Sequence, residues 1–355
     1  MLNLTEIPRK ILIIKPSALG DIVHTLPVLQ ALKTCYPGVE IHWVVAKGLH
    51  TFLEGHPLIH RLWIFDRQKW KRFSALSATL GEIGRFIREL RAERFDVSLD
   101  FSGLLRSGVI TWAAGAHKRL GFSNGDEGSF LFYNQTVHGD MKRHAVDRYL
   151  DLVRGLGCEV KEVVFPMPPF EPDPPVLRTL PPHFVVLAPS AGKEANRWPA
   201  ERFGQIAARL PLPSVIIAGA AEQKLAATVE QHSAGRAINL AGGTTLKELL
   251  AVISRACFVV SNDTGPQHIA VALNVPVFSI FGPANPACTG PYGAMHTVIR
   301  KNIDCAPCYR WKPCAHWRCM QEISVDEVEG IINASGAWNL QPQDEPKLHD
   351  TPHCS

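Results

Sequence analysis

The sequence predicts an α/β protein built from two doubly wound domains, each a parallel sheet with helices on both faces, facing each other across a cleft. Three observations predict this. Short apolar runs alternate with helical patterns in both halves of the 355-residue chain, which is too long for one typical core. Eight prolines fall within the seventeen residues from Pro166 to Pro182, a composition that forms neither helix nor central strand and marks a boundary. Residues 257–273 then read as a buried strand, a polar turn and an apolar helix, the repeating unit of such a sheet.

In the first half, Ile11 to Ile14, Ile41 to Val45 and Val97 to Leu99 are apolar enough for buried parallel strands. Helical patterns lie between and after them at Val28 to Thr34, Leu80 to Glu93 and Ala145 to Gly155. Pro27 favours a first helical turn, which makes Thr25 a candidate cap for the first helix. In the second half, strands are expected at Phe184 to Ala188, Val215 to Ala218, Cys257 to Val260 and Val277 to Phe281. They alternate with helices near Pro199 to Arg209, Glu222 to Gln231 and Leu246 to Ile253. The domains expected are therefore residues 1–165 and 183–340, joined by the proline-rich linker 166–182. A polar, proline-containing tail, 341–355, is expected to be disordered.

Composition narrows the class. With 46% hydrophobic and 20% charged residues the chain reads as a soluble globular protein, and its net charge of +4 gives no argument for nucleic acid. Met1 to Lys10 lacks the apolar core of a secretory signal, and no run approaches the ~20 apolar residues that span a bilayer, so a cytoplasmic location is expected. Of the nine cysteines, Cys35, Cys158 and Cys257 sit in apolar stretches, which suits reduced thiols better than a disulfide framework.

Two segments carry chemistry. The turn Asp263-Thr264-Gly265 stands at a helix N-terminus, where backbone N–H groups and the Thr264 hydroxyl can hold a phosphate; a nucleotide-diphosphate ligand follows. The segment Lys15 to Thr25 follows the first strand with a small-residue turn and then a carboxylate, an imidazole and two hydroxyls. Asp21 either caps the helix or projects into the cleft, where a lone carboxylate facing a nucleotide-diphosphate site can deprotonate an acceptor hydroxyl while the diphosphate leaves.

Residues 66–73 interleave the cations Arg67, Lys69, Lys71 and Arg72 with two aromatics. Such a run is a solvated face, an electrostatic membrane patch, or a site for an anionic acceptor, which Arg106 could join. Cys305, Cys308, Cys314 and Cys319, with His316 among them, have enough thiols for a structural metal, but their spacing is not that of a standard zinc ribbon or finger. No metal is assigned.

The motifs taken together resemble one family. Ser17 to Pro27 (SALGDIVHTLP), Asp100 to Ser107 (DFSGLLRS), Arg197 to Phe203 (RWPAERF), and the segment from Asp263 to His268 with Phe281-Gly-Pro downstream are similar to glycosyltransferase family 9, the lipopolysaccharide heptosyltransferases, in consistent order from about Ile11 to Val328. The stretches at 41–45, 131–134 and 143–147 look most like its heptosyltransferase I branch.

The resemblance implies a GT-B architecture of two Rossmann-like domains and an ADP-L-glycero-D-manno-heptose donor held by the C-terminal one. It also implies inverting transfer to a Kdo-lipid A acceptor without metal or cofactor. Asp21 matches the catalytic base, Lys15 matches a lysine facing the acceptor, and Ser17, Gly20 and His24 belong to the same acceptor-side segment. Ser190, Asp263, Thr264, Gly265 and His268 fall on the donor side, and Glu222 matches the acid that binds adenosine ribose. His268 could instead be a packed helix-start histidine, and Glu222 is also favoured there by the helix dipole.

The family usually carries a lysine two residues before its tryptophan; here that position is Asn196, which leaves Lys193 or Arg197 to clamp the donor phosphates. Peripheral attachment to the inner leaflet of the cytoplasmic membrane accompanies this reading. The alternatives are heptosyltransferase II, transfer of another sugar, a nucleotide-sugar epimerase, and a non-catalytic nucleotide-binding module.

Overall fold

A computed structural model describes residues 7–66 and 76–337. The chain divides into two compact units, Met1–Pro169 and Phe170–Ser355. The division falls inside the proline-dense segment, whose described structure is irregular apart from a single 3-10 turn at Pro175–Thr179. The tail 341–355 lies outside the described residues.

The first unit holds a six-stranded sheet of β1 (Lys10–Ile14), β2 (Glu40–Ala46), β3 (Arg61–Phe65), β4 (Val97–Asp100), β5 (Lys118–Phe122) and β6 (Gln135–Val137), in the order β3-β2-β1-β4-β5-β6. Every pairing is parallel. Ile11, Leu12, Ile13 and Ile14 are all fully buried, as a strand covered on both faces must be. Leu12 and Ile14 share one face with Val44, Trp63, Leu90, Phe95 and Ile110. The longer helices of this unit are α1 (Leu19–Cys35), α2 (Leu76–Ala92), α3 (Leu105–Ala113) and α4 (Ala145–Gly155). Helix α1 packs along α4.

The second unit repeats the plan with β7 (Val185–Ala188), β8 (Ser214–Ile216), β9 (Ala237–Asn239), β10 (Val259–Asn262), β11 (Val277–Phe281) and β12 (Thr297–Arg300), in the order β12-β11-β10-β7-β8-β9. Its pairings are parallel too. Its longer helices are α5 (Ala200–Arg209), α6 (Gln223–Gln231), α7 (Leu246–Ser254), α8 (Gly265–Ala272) and α9 (Val325–Ala334). Trp198, Phe203, Phe258, Phe278 and Met320 fill its core. Counted within its own unit, each sheet runs 3-2-1-4-5-6, so the order reverses between β1 and β4 and again between β7 and β10. Ligands bind such sheets outside the strands' carboxyl ends at that reversal.

Two expectations need correction. Helix α1 begins at Leu19 with Ala18 as its cap residue, and Pro27 lies inside it. Thr25 is therefore a buried mid-helix residue whose hydroxyl donates to the Asp21 carbonyl (2.8 Å). Cys35 and Cys158 are paired rather than reduced: the bond joins the end of α1 to the segment after α4, fastening two helices already packed together. Cys257 is free and buried.

Candidate active site

In the first unit the reversal point is where β1 and β4 part. Ile14 lies opposite Asp100 in the register, so Lys15 leaves the sheet beside Asp100. Asp100 is fully buried, and its carboxylate accepts from the Ser102 N–H (2.8 Å), the Gly103 N–H (3.2 Å) and the Tyr133 hydroxyl (2.7 Å). Burial raises its carboxyl, against the pull of these bonds. Two glycines permit the arrangement. Gly103 takes the left-handed conformation (φ 63°) that lets the turn fold back, and a Cβ on Gly121 would overlap the Tyr133 ring.

That turn presents the Phe101 carbonyl to Lys15. Lys15 is almost wholly buried, and its ammonium donates to the Phe101 carbonyl (3.0 Å) and the Tyr149 hydroxyl (2.8 Å) while lying 3.6 Å from Asp21 Oδ1. Burial alone would lower the Lys15 ammonium, but Asp21, Tyr149 and Asp100 outweigh it and hold it above the ordinary value. Its ammonium is held between the Phe101 carbonyl and the Tyr149 hydroxyl and bears on Asp21. Asp21 accepts from the Ala18 N–H at Oδ2 (3.1 Å) and from Tyr149 at Oδ1 (3.2 Å), yet 40% of its side chain stays exposed. It thus caps α1 and presents a carboxylate to solvent at once.

The other acceptor-side residues separate. Ser17 is half-buried in the turn, and Gly20 is half-buried in the first turn of α1. His24 is buried edge-on against His144 (5.1 Å between centroids), the residue that caps α4 through Nδ1 and the Val146 N–H. Arg106 is exposed in the first turn of α3. Arg67, Lys69, Lys71 and Arg72 lie outside the described residues.

In the second unit β7 leads to Ser190, which is buried, and β10 leads to Asp263. Asn262 ties the two strand ends: its Oδ1 accepts from the Trp198 N–H (3.0 Å) and its Nδ2 donates to the Pro189 carbonyl (2.7 Å). Thr264 is the extended cap residue of α8, and its hydroxyl makes no capping bond. The first turn holds Gly265 and Pro266, and the helix dipole adds about half a positive charge there. Asp263 accepts from Asn196 Nδ2 (3.3 Å) and lies 3.9 Å from His268 Nε2; His268 is buried.

Arg197 donates from Nε and one terminal nitrogen to the Ala191 carbonyl (3.1 and 2.9 Å), and from the same terminal nitrogen to Glu222 Oε1 (2.9 Å). Its guanidinium is therefore aimed by two partners, one of them the predicted ribose-binding acid. Lys193 turns instead toward the cysteine-bearing loop, donating to the Tyr309 carbonyl (3.3 Å) and lying 5.3 Å from the centre of the Trp311 ring. Sequence reasoning missed Tyr149, which helix α4 delivers to Asp21 from 128 residues away. No spacing rule could signal it.

Glu40, His42 and His60 bring metal-ligating atoms within 4.8 Å of one another, the sole such group among the described residues. The Trp63 indole N–H donates to His42 Nδ1 (3.1 Å), so the neutral ring carries its proton on Nε2, the atom facing Glu40. The Lys10 ammonium also lies 3.6 Å from the same carboxylate. This is an ion-pair cluster. Cys305, Cys308, Cys314 and Cys319 are all free, and burial with the neighbouring Cys308, Cys314 and Cys305 pushes the Cys319 thiol up to about 11.

Comparison with known proteins identifies the fold and family. The family model described as glycosyltransferase family 9 (heptosyltransferase) matches residues 83–316. Lipopolysaccharide heptosyltransferase 1 of Pseudomonas aeruginosa is 30% identical over 329 residues, covering 86% of this chain and 88% of the relative. Lipopolysaccharide core heptosyltransferase OpsX of Haemophilus influenzae is 26% identical over 94% of this chain and 99% of its own. The fold is that of the Escherichia coli heptosyltransferase WaaC with ADP, at a TM-score of 0.75, 24% identity, and coverage of 92% of this chain and 99% of that one. The strand orders, the two reversal-point sites and these matches have one conclusion: the chain belongs to glycosyltransferase family 9, the heptosyltransferases.

Proposed function

We propose that this enzyme transfers heptose from ADP-L-glycero-D-manno-heptose to a Kdo-lipid A acceptor in assembly of the lipopolysaccharide inner core, with inversion and with Asp21 as general base. One observation carries the substrate assignment: the relative that is 30% identical across 88% of its own length is a lipopolysaccharide heptosyltransferase 1. The chemistry follows from the two reversal points. An acceptor hydroxyl gives its proton to the exposed Asp21 carboxylate as its oxygen attacks the anomeric carbon, while the bond from that carbon to the ADP oxygen breaks and ADP leaves with the electron pair.

The leaving diphosphate gathers negative charge. The α8 N-terminus behind Thr264 and the Arg197 guanidinium supply fixed positive potential for it, and Glu222, anchoring Arg197, is the partner for adenosine ribose. Ser190, Asp263, Gly265 and His268 complete the donor side, with Lys193 at its edge. On the acceptor side, Ser17, Gly20, His24 and Arg106 join the run Arg67, Lys69, Lys71 and Arg72 in meeting an anionic, lipid-anchored substrate. Peripheral attachment to the inner leaflet, through the basic run, is the part of this reading that gives access to that lipid; no helix among the described residues is long and apolar enough to cross a membrane. Incubation of the purified chain with ADP-heptose and Kdo-lipid A should raise the acceptor's mass by one heptose. An unchanged acceptor mass, with a known heptosyltransferase active in parallel, refutes the substrate assignment.

A further inference from the structure

The Lys15–Tyr149–Asp21 chain has a fixed direction. Lys15 can only donate, and it donates to the Tyr149 oxygen (2.8 Å); Tyr149 then has its own proton left for Asp21 Oδ1 (3.2 Å). The order cannot reverse. Tyr149 is buried, and burial together with the Asp21 charge raises its hydroxyl, against the opposing pull of Lys15, so it remains a donor. Its ring is clamped edge-on by Phe101 (5.6 Å between centroids) and tilted against Phe122 (6.5 Å). The same Phe101 supplies the carbonyl that holds Lys15. With the Ala18 N–H on the other carboxylate oxygen, Asp21 is held at both ends.

We propose that Tyr149 is the positioning residue of the base, fixing the Asp21 carboxylate in one rotamer, with the buried Lys15 ammonium orienting the Tyr149 hydroxyl. The inference rests on the reading of Asp21 as general base. In the transfer step the acceptor's proton moves to Asp21 and later to solvent, while the Tyr149 proton stays on its oxygen throughout. Tyr149 acts through the Asp21 carboxylate and gives up no proton of its own. It reduces the rotamers the base must give up before accepting a proton.

The test is Tyr149→Phe, which keeps the ring and removes the hydroxyl. Turnover should fall about tenfold, with KM for both substrates and the affinity for ADP changed less than about twofold. In an Asp21→Asn background the same substitution should cost nothing further, because the group it positions has gone. Two results overturn the inference: unchanged turnover in Tyr149→Phe, or an additional loss in the double variant equal to that in the single one. If Asp21→Asn itself retains full turnover, the base assignment fails instead, so the two failures are distinct. A crystal structure of Tyr149→Phe reads the inference without any substrate. Asp21 should occupy more than one rotamer or leave the Ala18 N–H, and a carboxylate unmoved in one rotamer contradicts the proposal.

Discussion

The two reversal points are built on one strand order and are lined by different groups. In the first unit β1 leads into a buried lysine, and the strand end is organised by side chains: a carboxylate, a phenol and an ammonium in contact. In the second unit β10 leads into Asp263 and Thr264, followed by a helix N-terminus, and Arg197 is fastened to the Ala191 carbonyl and Glu222. Topology fixes where a site lies; the few residues after each strand decide what it does. In the proposed reaction the first site takes up a proton and the second holds negative charge.

The comparison makes unequal predictions. Asp21→Asn strikes the proton-accepting site and should lower turnover by about 10²- to 10⁴-fold, the usual worth of general-base catalysis, while calorimetry shows ADP binding intact. Arg197→Met strikes the anion-holding site and should weaken the donor by about 10- to 100-fold, the worth of a charge-assisted hydrogen bond, seen chiefly as a rise in donor KM. If Arg197→Met instead lowers turnover with unchanged donor KM, the division of labour between the two sites is wrong.

Two further variants should leave the comparison untouched. His42 lies in the ion-pair cluster near the amino end of β2, and burial lowers its imidazole to about 4 from an ordinary 6.5, Glu93 opposing. The folded chain therefore keeps His42 neutral where the unfolded chain takes up a proton, so stability is intact above pH 6.5 and declines as pH falls toward 4. The decline attributable to this group is about 3 kcal/mol at most, and urea unfolding of His42→Gln should show a shallower slope across that window. Smallest is Thr245→Ala. Thr245 and Glu248 form a reciprocal capping box on α7 (3.2 and 2.8 Å), so its loss should cost about 1 kcal/mol in unfolding with turnover unchanged.

Much of this was legible in the sequence, and what was not has a physical reason. The central strands β1, β2, β7, β10 and β11 are buried on both faces and so read as predominantly apolar runs. The edge strands were silent. β3 alternates, with Arg61 and Ile64 exposed, and β6, β9 and β12 have three or four residues each, too few to show a period. Helix α1 was begun too late because Pro27 normally marks a first turn, while here it sits in the buried helix interior.

Asp21 stood out because a polar turn after an apolar strand is a local signal. Tyr149 did not, since the contact depends on α4 packing along α1. Cys35 and Cys158 were legible as apolar-lined thiols but not as a pair, because the same packing brings them together.

The most direct measurement of the central claim sets the natural chain beside Asp21→Asn in one mass-spectrometric assay with ADP-heptose and Kdo-lipid A. The account predicts one added heptose with the natural chain, and at matched time almost none with the variant, whose ADP affinity is unchanged. Equal product from both would contradict it.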